Sequence, residues 1–257
     1  VTPTNITASV IGLFGGDTGA EGFYDNGEGV AVPEVLTSVT VNEMRTVPQK
    51  FLYGMSSLTS ANISLNAALL VNNEQAGIGD YAFYDCENLG TDLSVRGSYA
   101  AIGSHAFDGT ALTQFSVPSS VESIGSYAFA NTGLTSFTVP DSVTELGRNI
   151  FYNAAQLSSL TIERMSYYDA ELETVRTLTN DFGALFGATH LQTWLEENPG
   201  LDEDDYPFYN RNLYGASVWI PDALTEVTVR GMQNVPADFL RDMISLKKVT
   251  IGINADL

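Results

Sequence analysis

IGSHAF at 102–107, IGSYAF at 124–129 and LGRNIF at 146–151 are three versions of one hexapeptide, each starting 22 residues after the last. LTQFSVP (112–118) and LTSFTVP (134–140) run between them with the same period. One structural unit is therefore being stacked. A fixed period in the twenties with apolar anchors is the signature of a repeat solenoid, in which no unit buries its apolar face alone and neighbours complete the core. Such a pattern says much about architecture and little about a ligand.

Within a unit, Leu112, Phe115 and Val117 have the LxxLxL spacing of a short strand whose last two anchors share one face, so Gln114 and Ser116 point the other way. Pro118 removes a backbone donor at the strand's exit and forces a turn. Val121 and Ile124 then supply a second short apolar edge, and the small Ala128 makes room for Phe129, the large filler of the layer. The expected fold is a repeat solenoid, mainly β with short helical or irregular segments, with one parallel sheet along one face.

Regular units begin at IGDYAF (78–83), with Phe83 standing 24 residues before Phe107, and run to LSSLTI (157–162). A looser repeat precedes them, containing VPEVLTSVTVNEM (32–44) and SSLTSANISL (56–65). Residues 14–31 read as a Gly-rich insertion. Residues 166–219 read as a second insertion, aromatic and acidic, with ten acidic residues from Asp169 to Asp205 against Arg176 alone. Then WIPDALTEVTVRGM (219–232) returns to the N-terminal string. At an offset of 188, Leu36 meets Leu224 and 17 of the 34 pairs between 36–69 and 224–257 are identical, so a longer repeat is laid over the short one. The expectation is one body over 1–257, with 220–257 opening a second super-repeat of ~188 residues. A longer parent sequence should carry another IG-x-x-A-F about 188 residues after Ile78. The alternation of Val249, Ile251 and Ile253 predicts an apolar end layer prone to end-to-end self-contacts of the chain.

Hydrophobic content of 44% fits a folded protein, whereas charged residues at 16% are few against a typical ~25%. Eleven Lys and Arg against 31 Asp and Glu leave a formal net charge of −20, which repels nucleic acid and anionic membrane. No run of about 18 apolar residues spans a bilayer, and the sequence opens at Val1 without the regions of a signal peptide, as an excised fragment would. The single cysteine, Cys86, permits no internal disulfide, and Asp85 and Glu87 beside it argue for a structural thiol over a reactive one.

Strings such as IGSYAFANTGLTSFTVPDSVTELG resemble the BspA-type leucine-rich repeats, also called the Treponema pallidum leucine-rich repeat family. The likeness is specific over 78–162 and extends loosely from about residue 32 to 257. It implies a solenoid with one parallel sheet along its strand side, on secreted or surface-anchored bacterial proteins that mediate adhesion or host contact. It supplies no catalytic residues.

The chemistry-bearing residues are sparse. His105 and His190 are the only histidines and stand far apart, and no carboxylate pair is recognisable on neighbouring strands, so no catalytic residue is assigned and the chain is expected not to be an enzyme. Asp202-Glu203-Asp204-Asp205 offers hard oxygen ligands but lacks the alternating spacing and turn glycine of a calcium loop, so a solvated run is the plainer reading. LFGG at 13–16 has no Lys-Ser/Thr and is no phosphate loop. No metal or cofactor is expected. Trp194, Tyr206, Phe208, Tyr209, Tyr214 and Trp219 concentrate aromatics in the second insertion. They form either a platform for sugar rings or a protein partner, or a satellite core that fixes the insertion to the body. The outward strand positions read Gln114, Ser116, Ser136, Thr138, Ser159 and Thr161, a hydroxyl ladder that either accepts an extended partner or simply keeps a sheet soluble. The candidate binding residues are these six with Trp194, Tyr206 and Tyr209. The reading they support is a non-enzymatic segment of a secreted or cell-surface bacterial protein that binds a host or bacterial surface protein or glycan. The alternatives are a carbohydrate-binding module using the insertion's aromatics, or a structural spacer.

Overall fold

The computed structural model describes residues 23–25, 31–33, 36–66, 68, 70, 75–178, 182–188, 190–213, 216–232, 234–235 and 239–253. The Gly-rich segment 14–31 falls outside them apart from Phe23–Asp25 and Ala31, as do the LFGG at 13–16, Tyr214, Pro236 and 254–257. In chain order the strands are β1 (Phe23–Asp25), β2 (Ala31–Pro33), β3 (Ser38–Met44), β4 (Ser60–Leu65), β5 (Gly77–Ile78), β6 (Leu93–Arg96) and β7 (Ala101–Ile102). They continue with β8 (Ser123–Ile124), β9 (Ser136–Val139), β10 (Glu145–Leu146), β11 (Phe151–Tyr152), β12 (Ser159–Ile162) and β13 (Ser166–Asp169). The rest are β14 (Thr174–Thr177), β15 (Phe186–Gly187), β16 (Phe208–Leu213), β17 (Ala216–Pro221), β18 (Glu226–Met232) and β19 (Lys248–Ile253).

The single parallel sheet expected along one face does not form; several small sheets share the work. On the strand face β3-β4-β6 and β9-β12-β18-β19 are two separate parallel sheets, because 114–117, the strand that should join them, pairs with neither. On a second side, the short apolar edge at Ile124 and its equivalents is itself a ladder, β5-β7-β8-β10-β13, closed by the antiparallel β14. Its register places Ile78, Ile102, Ile124 and Leu146 in one buried column. A third side is held by turns. There Phe107 N–H donates to Ala128 O and Phe129 N–H to Ile150 O, at 2.9 and 3.0 Å, so each coil bonds to the next beside its central Phe.

The stacked Phe rings are the spine of the core. Phe83, Phe107 and Phe129 lie face to face with centroids 5.3 and 5.2 Å apart, all fully buried. Ala82, Ala106 and Ala128 beside them are buried too, and leave the ring volume free. Gly125 permits coils to stack this closely, since a Cβ there would fall against the backbone nitrogen of Ser104 in the coil before.

After β12 the coil is stretched, not abandoned. β13 supplies its rung on the lateral ladder. Phe186 of β15 pairs with Phe151 and takes the next place in the Phe column, and β18 pairs with β12 in register from Ser159↔Glu226 to Ile162↔Val229. Between β12 and β18, which pair directly, lie the β13–β14 hairpin, the helix Leu191–Glu197 and the antiparallel pair β16–β17. The 188-residue repeat is equally visible: β3–β4 and β18–β19 carry the same register shift, between Val41 and Met44 and between Val229 and Met232.

Candidate interaction face

The parallel register on the strand face aligns the outward side chains into rows. One row runs Ser136, Ser159, Glu226, Lys248 and the other Thr138, Thr161, Thr228, Thr250, each residue beside the next. Alternation puts Phe137, Val139, Leu160 and Ile162 fully inside while Ser136 and Thr138 are exposed and Ser159 and Thr161 half-buried. Gln114 and Ser116 are exposed on the unpaired coil. They share with Ser136, Phe137 and Thr138 a cleft of about 260 Å³. The hydroxyls just before the strands have a different task. Thr135 Oγ1 and Ser158 Oγ donate to Thr113 O and Thr135 O, at 3.3 and 2.8 Å, tying each coil to its predecessor. Six of the nine candidate residues therefore share one polar face.

The other three are elsewhere. Tyr206 is buried, its ring held edge-on by Trp194 at 5.2 Å and Trp219 at 5.3 Å, with Phe208 at 5.6 Å. These rings and Ala188 make a satellite core, against which Trp194 and Trp219 are half-buried. Of the two alternatives for the insertion's aromatics, Tyr206 takes the satellite-core one, buried among neighbouring rings and not offered on a surface. Tyr209 packs against the main core, with its hydroxyl 3.3 Å from Ser245 Oγ.

Groups with catalytic or metal-binding chemistry are engaged structurally. His105 is stacked between Tyr81 and Tyr127, 4.7 Å from each, with Nδ1 2.7 Å from Asp108 Oδ2. His190 caps the helix Leu191–Glu197, accepting from Gln192 N–H. Burial pushes the Cys86 thiol up to about 12, and its Sγ donates to Leu52 O. In 202–205 the carboxylates turn inward on their own backbone: Asp202 accepts from Asp204 N–H and Asp205 from Asp202 N–H. Among the described residues no cluster of three or more His, Cys, Asp or Glu could hold a metal. No helix among them is long and apolar enough to cross a membrane.

Sequence reasoning missed a planar column on the turn side. The slot two residues before each Phe holds Tyr81, His105, Tyr127 and Asn149, all in the left-handed region with φ of 52–57°. Beside it runs an amide relay, in which Asn153 Nδ2 donates to Asn131 Oδ1 and Asn131 Nδ2 to Asp108 Oδ1, at 2.9 and 2.7 Å. The recurrence of Asn at 131 and 153, one period apart, was the available signal.

No curated protein matches the chain. A leucine rich cell surface protein from Faecalibacterium prausnitzii is similar at 15% identity, over 85% of this chain and 61% of that one, with a TM-score of 0.36. A leucine-rich repeat protein from Bacteroides ovatus is similar at 16% identity, over 84% of this chain and 60% of that one, with a TM-score of 0.24. The chain spans less than two thirds of the length of either. Residues 76–172 match the BspA type leucine rich repeat region in six copies, so this part of the chain is built of repeats of that type.

Proposed function

We propose that the chain is a non-enzymatic interaction segment of a secreted or cell-surface bacterial protein, with a protein partner lying on the polar strand face. The observation that carries this reading is the register of β9, β12, β18 and β19, which repeats a Ser/Thr pair at every rung or replaces its first member by Glu226 or Lys248. Rungs follow at about 4.8 Å, so the face is a regular lattice of short polar groups, the kind of extended surface that repeat proteins commonly use for binding. The acidic balance of −20 turns the reading away from nucleic acid and anionic lipid. In the same reading the sheets are sides of one solenoid over 1–257, carrying 14–31 and 166–219 as insertions, and neither cofactor nor metal takes part.

The test is a binding screen of the chain against host and bacterial surface proteins and against a glycan array. A protein hit should weaken at least about tenfold in the double variant Thr138→Arg, Thr161→Arg, whose substituted side chains face solvent. Undiminished binding by that variant places the contact elsewhere. Glycan hits lost in Trp194→Ala support the carbohydrate-binding alternative, and silence in both screens favours a spacer.

A further inference from the structure

The strand face has one seam. Between β6 and β9 the segment 114–117 makes no backbone hydrogen bond to either neighbour, although all three coils are described. Pairing stops abruptly: Thr135 N–H still reaches Thr113 O at 3.1 Å, one residue before the seam. The other two sides of the same coil stay bonded. Ala101, Ser123 and Glu145 pair in register on the lateral ladder, and Phe107 N–H and Gly109 N–H reach Ala128 O and Ala130 O on the turn side. The seam is therefore open on the polar face and closed behind it.

Its side chains suggest a cause. Phe115 leans between Phe107 and Phe129 with centroids at 4.9 and 5.2 Å, and Phe137 leans between Phe129 and Phe151 at 4.8 and 5.0 Å. Two phenyl rings thus interleave with the spine at consecutive rungs. The next rung carries Leu160, and there the ladder is intact. Strand spacing of about 4.8 Å leaves little room for rings that prefer centroid separations of about 4.5–7 Å and are already packed against a ring stack. Phe115 and Val117 are accordingly only half-buried, whereas Phe137 and Val139 are buried.

We infer that 114–117 is a built-in hinge: the two strand-face sheets swing apart at this seam, about the lateral and turn ladders as the pivot, widening the cleft between Gln114–Val117 and Ser136–Thr138. The partner reading of the face is not needed for this motion, which belongs to the unliganded chain.

Spin labels at Asn62→Cys and Thr228→Cys, five rungs or about 24 Å apart across the seam, read the motion directly, with Cys86 buried and out of reach of the label. A distance distribution broader than that of a pair confined to β9–β19, Ser136→Cys with Thr250→Cys, is expected, narrowing when Phe115→Leu is added. Amide exchange at 114–117 should be at least about a hundredfold faster than at Ser159–Ile162 and slow in Phe115→Leu. Phe137→Leu relieves the same crowding and serves if the first variant does not fold. Equal widths for the two label pairs, or equal protection at 114–117 and Ser159–Ile162, overturn the hinge. A seam that stays open in a folded Leu variant overturns its steric cause.

Discussion

Gly125 has no unusual φ to satisfy; it is required by the coil before it, whose Ser104 backbone occupies the space of a side chain. Gly125→Ala should therefore lower stability by at least about 2 kcal/mol, the upper range for overpacking, because the obstacle is backbone. Gly133→Ala, where the added methyl would sit 3.5 Å from Leu112 O, should cost under about 1 kcal/mol. Denaturant melts of the pair check this, and similar midpoints would contradict it. By the same method Phe129→Ala should lose about 3–5 kcal/mol, since it removes a ring from the middle of the fully buried stack. Thr138→Ala, on the exposed face, should stay within about 0.5 kcal/mol. Asp85 carries a pH effect. Burial first, then the charges of Asp108 and Glu87, hold its carboxyl above the ordinary 3.8. Between 3.8 and that raised value the folded chain binds more protons than the unfolded one, so this group's contribution improves as pH falls through the window and is unfavourable at neutral pH. Asp85→Asn, which keeps a residue tolerant of the φ of 53° there, should be more stable than the parent at pH 7 and lose its advantage toward pH 3.8. Urea melts showing the variant weaker at pH 7 would refute the assignment.

At the level of elements, the turn side shows why two left-handed residues recur in each coil. The backbone at Tyr127 and Asn131 bends back on itself, so that N–H groups of Tyr127, Phe129 and Asn131 all reach the next coil, at 3.0, 3.0 and 2.7 Å. Asn serves at 131 and 153 because it tolerates positive φ and its amide joins a relay with donor and acceptor both used. Asn131→Gly keeps the conformation and loses the relay; Asn131→Ala loses both. The Ala variant should fall below the Gly variant by about 1 kcal/mol, the penalty for a Cβ in the left-handed region, and both should fall below the parent by about 1 kcal/mol or more. Equal stability of all three in thermal melts would mean the relay is incidental. The apolar anchors and the strand alternation were legible in the sequence because a 22-residue period repeats them at fixed offsets. The seam at 114–117 was not: Phe115, Phe137 and Leu160 satisfy the same pattern, yet the strands of Phe137 and Leu160 pair with each other while 114–117 pairs with neither neighbour.

Over the whole molecule, the polar face was legible because β alternation assigns Ser136 and Thr138 outward from spacing alone. The stretch after Ile162 was not, since the period is lost there although β13, β15 and β18 still pair with the strands of the preceding repeats. Phe186 fills the next place in the Phe column 35 positions after Phe151, and only pairing in space reveals it as the same rung. The excursion beyond it is secured by its own small core of Ala188, Tyr206 and Phe208 with Trp194, Leu191 and Trp219 around them, separate from the main cluster that runs from Met44 to Met243. Two cores imply two stabilities, because a looped-out unit with few buried side chains opens without melting the ladders that bypass it. Trp194→Ala removes the edge-on partner of Tyr206, and the loss, about 1–3 kcal/mol for a half-buried aromatic, should fall on this unit alone. Limited proteolysis should then cut between 190 and 219 at least about tenfold faster than in the parent, while the main denaturation midpoint moves little, β12 still pairing with β18. Phe186→Ala is the contrast: its ring touches Phe151 and Phe182 in the main core, so it should lower the main midpoint. A Trp194→Ala variant that loses the main transition would mean that the two cores fold as one.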